Sequence, residues 1–266
     1  MMNLLKRALA PVSDAAWDEI DEEARRVLAS SLTARRIMDV TGPHGPAYAA
    51  VGLGRITTST EGASDPVAYG IRRVLPLIEL RASFELDRWE LDNAERGAAD
   101  IELDPLTEAA RELAQFEERL VYHGLQEAGI EGLRDAAEQD PIPLGTEGGD
   151  YPKSIARALV SLREASIGGP YALVLGSEPF TALSAACQGC LPRQQIAQLL
   201  EGPVLLSPVI EGGFLLSTRG GDFEITLGQD ASIGWQSHGE ERMKLFLMES
   251  LTFRVLEPRA VVPLEG

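Results

Sequence analysis

Residues 48–86 constrain the fold more than any other stretch of the chain. Two β-compatible arms, YAAVGLGRIT and VAYGIRRVLPLIELRASFEL, flank TTSTEGASDP, a tip rich in turn formers. In the second arm Leu77-Ile78-Glu79-Leu80-Arg81 and Phe84-Glu85-Leu86 alternate apolar with charged residues, the pattern of a half-buried strand. A hairpin with arms this long overhangs a single compact domain. Such an arm needs a neighbour to lie upon.

Helical patterns stand on either side of it. Ser13 followed by DAAWDEIDEEARRVLASSLTARR reads as a capped helix, with Asp14, Asp18 and Glu19 suited to the positive end of its dipole. Trp17, Ile20, Ala24, Val27 or Leu28, and Ser31 or Leu32 recur every three or four residues and form one apolar stripe. Pro105 opens the strongest helix, PLTEAARELAQFEERLVYHGLQEAG, at a position where its missing amide costs nothing. Leu106, Ala110, Leu113, Leu120 and Gly124 line one face of it, and Glu117 falls on that face against the pattern. Further along, PKSIARALVSLREAS predicts a helix and YALVLGS a short buried strand. EPFTALSAACQGCLPRQQIAQLLEG reads as helix, break, helix, and PVLLSPVI and GFLLST as strands. The segment from DFEITLG to FRVLEP reads as mostly β.

Bulk properties exclude several classes of function. The 266 residues carry a formal charge of −17, with 41 acidic against 24 basic side chains. Nucleic acid is therefore a poor partner, because phosphate binding needs clustered Lys and Arg. No apolar run approaches the ~18–20 residues of a membrane span, and the N-terminal MMNLLKRALAPVSD lacks a signal-type apolar core. The expectation is a cytoplasmic chain with reduced thiols.

Signatures of catalysis are missing. GLGRIT has G-x-G without a third glycine, and there is no P-loop or G-x-S-x-G elbow. His44, His123 and His238 are far apart in sequence, and His123 with Glu127 makes too small a set for zinc. Glu85, Asp87, Glu90, Asp92 and Glu95 are interleaved with Arg88 and Arg96, which favours ion pairing over acid–base chemistry. Among them Trp89 is either an interface anchor or a flat platform for an aromatic ligand, and the charged setting favours the anchor. Cys187 and Cys190 form a C-x-x-C, but helix-like FTALSAA precedes them where a thioredoxin-type motif follows a strand, and two thiols are half a zinc site. No catalytic or metal-ligating set emerges.

The blocks LLKRALAPVSDAAWDEIDEEA, LPLIELRASFELDRWELDNAERG and RGGDFEITLGQDASIGW with LFLMESLTF resemble, in order, the encapsulin shell proteins of bacterial nanocompartments. That resemblance implies an α+β, tailed-phage major-capsid-like fold with peripheral domain, axial domain and extension loop. On that pattern residues 1–47 hold the N-terminal helix and the start of the peripheral domain, and 48–76 the extension loop. Residues 77–134 hold the peripheral domain with its spine helix, 135–221 the axial domain, and 222–266 the return to the peripheral domain. The implied function is structural: a homo-oligomeric icosahedral shell, with pores for small solutes, enclosing a cargo enzyme recruited by a short C-terminal peptide.

The resemblance also implies sites. Leu28, Leu32, Arg35, Ile37 and Asp39, with Asp230 and Ile233, are the candidates for a cargo-peptide groove facing the lumen. Cys187, Gln188, Gly189, Cys190, Leu191 and Arg193 fall in a pore loop, where the thiols are incidental, gate the pore through disulfides or bind soft metal ions. Trp89 falls where some members carry a flavin; no cofactor is otherwise required. Other readings are a phage-type capsid protein packaging DNA, which the −17 charge disfavours, and a stand-alone thiol oxidoreductase using Cys187 and Cys190.

Overall fold

The computed structural model describes residues 4–58, 67, 69–145, 148–186 and 192–266, with only the main chain of 192–195. In chain order its first half runs through α1 (Asp14–Ser31), β1 (Asp39–Thr41), β2 (Ala50–Thr58), β3 (Gly70–Pro76), β4 (Ile78–Asp87), α2 (Arg88–Glu95) and α3 (Asp104–His123). The middle holds α4 (Leu133–Ala136), β5 (Ile142–Pro143), α5 (Tyr151–Glu164), β6 (Tyr171–Leu175), α6 (Ser177–Ala185) and α7 (Pro192–Leu200). The remainder is β7 (Val204–Leu206), β8 (Gly213–Ser217), β9 (Phe223–Leu227), β10 (Ser232–His238), β11 (Arg242–Val255) and β12 (Val261–Glu265).

Helix α1 begins where the sequence says it should. The Ser13 hydroxyl accepts the Ala16 amide at 3.3 Å and satisfies one of the orphan donors of the first turn. Trp17, Ile20, Ala24, Val27 and Leu28 are buried together, so the three-and-four spacing becomes the packed face. That face meets α3 and α2. Helix α3 ends sooner than its pattern suggests, at His123, because Gly124 leaves the helix with φ 77°. A Cβ there would meet Gly132 N and Ile130 O at 2.6 Å, so the chain turns where only glycine fits.

Two five-stranded sheets hold the rest. In the first, β11 is the spine: it pairs antiparallel with β4 along Ile78–Asp87 and, on its other side, with β10 and then β9. Strand β1 adds parallel to β9. Strand β4 alternates as read, with Phe84 and Leu86 buried and Glu79, Arg81 and Glu85 exposed. The second sheet has the order β5-β12-β8-β6-β7, and all five residues of β6 are buried.

Residues 222–266 are not of one piece. Strands β9, β10 and β11 lie in the first sheet, but β12 crosses to the second and pairs with β8 at Val261↔Leu216 and Val262↔Leu215. The reason is burial: β8 is buried along its whole length, so it needs a ladder on both edges, and β12 supplies the second.

The long hairpin also divides. Its second arm is two strands: β3 pairs with β2, then the chain breaks at Leu77 and β4 enters the first sheet. Ile56 pairs with Arg72 and Gly52 with Val74, which puts Ile56 and Val74 on one face; Ile71, opposite Thr57, is on the other. These three side chains are 60%, 55% and 67% exposed, so apolar surface stands open on both faces of the arm. Residues 59–66 of its tip lie outside the described residues.

Candidate functional site

The end of α1, the turn that follows it and the start of β10 enclose a groove of ≈ 560 Å³. Its apolar wall is Ala24, Leu28, Leu32, Ile233 and Leu247, and the groove also carries charged Arg25, Arg35, Arg36 and Asp230. Leu28 and Leu32 come from the apolar stripe of α1 and its C-cap, while Ile233 alternates inward from the edge strand β10. Five of the seven residues named from the sequence, Leu28, Leu32, Arg35, Asp230 and Ile233, therefore meet in one place.

Ile37 and Asp39 do not. A 3-10 turn at Ala34–Arg36 redirects the chain, and Ile37 packs into the other hydrophobic core. With Asp39 it lines a separate cleft of ≈ 270 Å³, bordered by Phe223 and Asp222, and Arg36 is the residue common to both hollows. The Asp39 carboxylate accepts the Gly221 amide at 2.5 Å, so it steadies the turn before β9.

Arg35 joins the groove to the interior. Its Nε and Nη2 donate to the two carboxylate oxygens of Glu117 at 2.7 Å each, and Nη1 donates to Asp230 Oδ1 at 2.8 Å. Nη2 also donates to Glu249. Glu117 and Glu249 are fully buried, so one guanidinium faces two enclosed carboxyls and a third at the rim. Burial opposes the charge on Arg35, but Glu117, Glu249 and Asp230 overcome it and raise its pKa further. Burial, and then the charge of Glu117, push Glu249 well above the usual carboxylate range against the pull of Arg35.

The neighbouring Glu118 clamps the same turn from below. Its carboxyl accepts the Ala34 amide and the Ser207 hydroxyl at 2.8 Å each, and also the Thr33 hydroxyl, which contacts Tyr122 Oη at 3.0 Å. Burial raises the pKa of Glu118 in spite of these donors. The off-pattern Glu117 is the visible signal of this network, since a charge on a buried helix face requires a partner. Which partner, and that Glu118 shares the task, depends on how α3 meets the turn after α1.

Glu249 has a consequence for pH. Between the ordinary carboxylate range and its raised value, the folded chain holds a proton that the unfolded chain has released. Its contribution is therefore complete at the acid end and declines as pH rises. Glu249→Gln keeps the shape without the titrating proton and is expected to flatten that decline from about pH 5 upward. Thermal unfolding of the two proteins across this range checks it; parallel curves would place the titration elsewhere.

The other residues singled out lie apart from the groove. Trp89 is 68% exposed on α2, with the Arg96 guanidinium 5.7 Å from its ring centroid. Asp87, from the same acidic run, accepts the Trp89 amide at 2.8 Å and caps the helix. His123 Nε2 lies 3.0 Å from the Val209 carbonyl, and the His44 ring lies 4.6 Å from that of Tyr48 at a tilt of 39°, both packing roles. Among the described residues there is no group of three or more His, Cys, Asp or Glu able to hold a metal ion, and no helix long and apolar enough to cross a membrane. Cys187, Gln188, Gly189, Cys190 and Leu191 lie outside the described residues, and Arg193 is placed by its main chain in α7.

Similarity to known proteins covers nearly the whole chain. The family profile described as "Encapsulating protein for peroxidase" matches residues 2–252. A type 1 encapsulin shell protein of Rhodospirillum rubrum is 43% identical over 272 residues, spanning 100% of this chain and 97% of its own. One from Mycobacterium tuberculosis is 39% identical over 264 residues, spanning 99% of each. Among solved structures, a virus-like particle from Pyrococcus furiosus has a TM-score of 0.66 at 15% identity, covering 93% of this chain and 98% of its own. The capsid of Myoviridae phage XM1 has a TM-score of 0.57 at 13% identity, covering 89% and 92%. At such identities the two structures establish the fold alone, which is α+β and capsid-like.

Proposed function

The chain belongs to the encapsulin shell-protein family, and from that premise we propose that its shell encloses a protein cargo captured by a short cargo peptide in the groove at Leu28, Leu32 and Ile233. The observation that carries this reading is the convergence of Leu28, Leu32, Arg35, Asp230 and Ile233 on one ≈ 560 Å³ hollow. An apolar wall beside charged groups suits a short segment whose side chains give affinity and whose main chain needs polar partners. The −17 charge per chain supports a protein cargo over DNA, whose phosphates it would repel. The enclosed enzyme supplies the chemistry, and openings between subunits admit its small substrates.

Mutation of the groove tests the reading. A Leu32→Asp or Ile233→Asp shell places a carboxylate against an apolar peptide side chain. Loss of that burial, about 1.5–3 kcal/mol, lowers affinity roughly tenfold to a hundredfold. Both residues are also core residues, so Ala29→Trp is the companion variant: Ala29 is exposed, lines the groove and can fill it without entering the core. Particles are first confirmed by size-exclusion chromatography, then cargo retention is measured. Unchanged loading in all three would sink the proposal.

A further inference from the structure

The groove is bounded in part by the N-terminal segment of the chain itself. Strand β10 lies at the end of its sheet path, with β11 on one side. On its other side the Trp235 amide donates to the Leu5 carbonyl at 2.8 Å. Antiparallel pairing sends the main-chain groups of alternate residues to opposite edges, so Ile233 faces the same outer edge as Trp235. Ile233 and Leu5 both line the groove. An outer edge of this kind is a template for one more extended segment. Here the chain's own N-terminus has taken part of it.

The hold on that segment is uneven. Arg7 pins its far end: the guanidinium donates to both carboxylate oxygens of Asp21 at 3.2 and 2.8 Å and lies 4.0 Å from the Trp17 ring centroid. Before Arg7, Leu4 and Lys6 are exposed and Leu5 is half-buried. Lys6 sits at φ 50°, in the left-handed region that L-residues other than glycine enter at a cost. A segment anchored at Arg7, left-handed at Lys6 and laid along an edge strand is one that a competing strand can replace.

We propose that residues 4–7 form a displaceable strap, and that the peptide accepted by the groove docks as an added strand on β10 in the place Leu5 holds. This rests on the groove reading above and adds how the peptide binds and what it must displace. Main-chain pairing would hold an extended peptide at Ile233 and Trp235. Its alternate side chains would then face Leu28 and Leu32 on one side, which asks for apolar residues at every second position. Because the strap and the peptide compete, the free shell has a lower apparent affinity than the bare groove.

The probe is a fluorescein-labelled synthetic peptide with Leu at alternate positions in a Gly/Ser background, mixed with the dissociated full chain and enclosed as the shells reassemble. Labelling of a Leu5→Cys thiol by a small maleimide is read with and without it. Binding is expected to expose residue 5 to the reagent, because one added strand takes the place of another. Leu5→Gly, which loosens the strap and leaves its carbonyl in place, is expected to tighten binding about three- to tenfold by removing the competitor. Unchanged labelling of residue 5 on binding, or weaker binding by Leu5→Gly, would overturn the strap. If Ala29→Trp blocks the peptide but binding leaves the labelling of residue 5 unchanged, the groove reading stands and the strap alone falls. If the peptide binds no shell, or Ala29→Trp leaves binding intact, both fall.

Discussion

Arg35→Ala shells are expected to melt roughly 6–20 °C below wild type. Removing the guanidinium strands Glu117 and Glu249, both fully buried, next to each other without a cation. Breaking a buried pair by deleting one partner costs about 3–5 kcal/mol, because the remaining charge is uncompensated. For a chain of this size each kcal/mol moves the midpoint by about 2–4 °C. Glu249, already raised by burial and by Glu117, can stay protonated and relieve part of the loss, whereas Glu117 accepts two hydrogen bonds from Arg35 and loses both. The effect should also reach the groove, since Arg35 holds Asp230 at its rim at 2.8 Å. A triple variant, Arg35→Met with Glu117→Leu and Glu249→Leu, removes all the buried charge and should recover most of the midpoint. A single Arg35→Ala variant melting within about 2 °C of wild type would mean that these carboxyls are not held as charges at all.

Ile56→Asp combined with Ile71→Asp should abolish the shell while leaving the subunit folded. The two side chains are 60% and 67% exposed in the isolated chain and stand on opposite faces of the β2–β3 arm. Covering them with neighbouring subunits is worth about 1.5–3 kcal/mol for each fully buried side chain. A carboxylate in the same place loses that gain and adds the cost of desolvating a charge. In a closed shell such a contact would recur in every subunit, so a modest local penalty would be multiplied across the particle. Size-exclusion chromatography should show a small species with unchanged far-ultraviolet circular dichroism, and Ile56→Val with Ile71→Val should still assemble. Intact particles from the double Asp variant would show that the arm is not an assembly contact.

Features that repeat along the chain are legible in the amino-acid sequence itself. The three-and-four spacing of Trp17, Ile20, Ala24 and Val27, and the alternation from Ile78 to Leu86, name the buried faces because a helix and a strand each turn side chains with a fixed period. The family is legible because its matching blocks are long and in order. Of the groove, the family pattern points to Leu28, Leu32, Arg35, Asp230 and Ile233 together; it misses Leu5 and Leu247, because nothing local to either marks it as facing α1.

Other features depend on where separate segments meet. Gly124 ends α3 because the backbone at Gly132 and Ile130 stands 2.6 Å from where a Cβ would lie. Strand β12 joins the second sheet because β8 has an edge to fill, and the 3-10 turn at Ala34–Arg36 parts Ile37 and Asp39 from the groove. The clearest case is the charge at Glu117. Its position on the apolar face of α3 predicts that some cation must answer it, since an unpaired buried carboxylate is too costly to keep. That the answer is Arg35, 82 residues earlier, is decided by tertiary structure alone, because local periodicity carries no information about which distant element closes a charge.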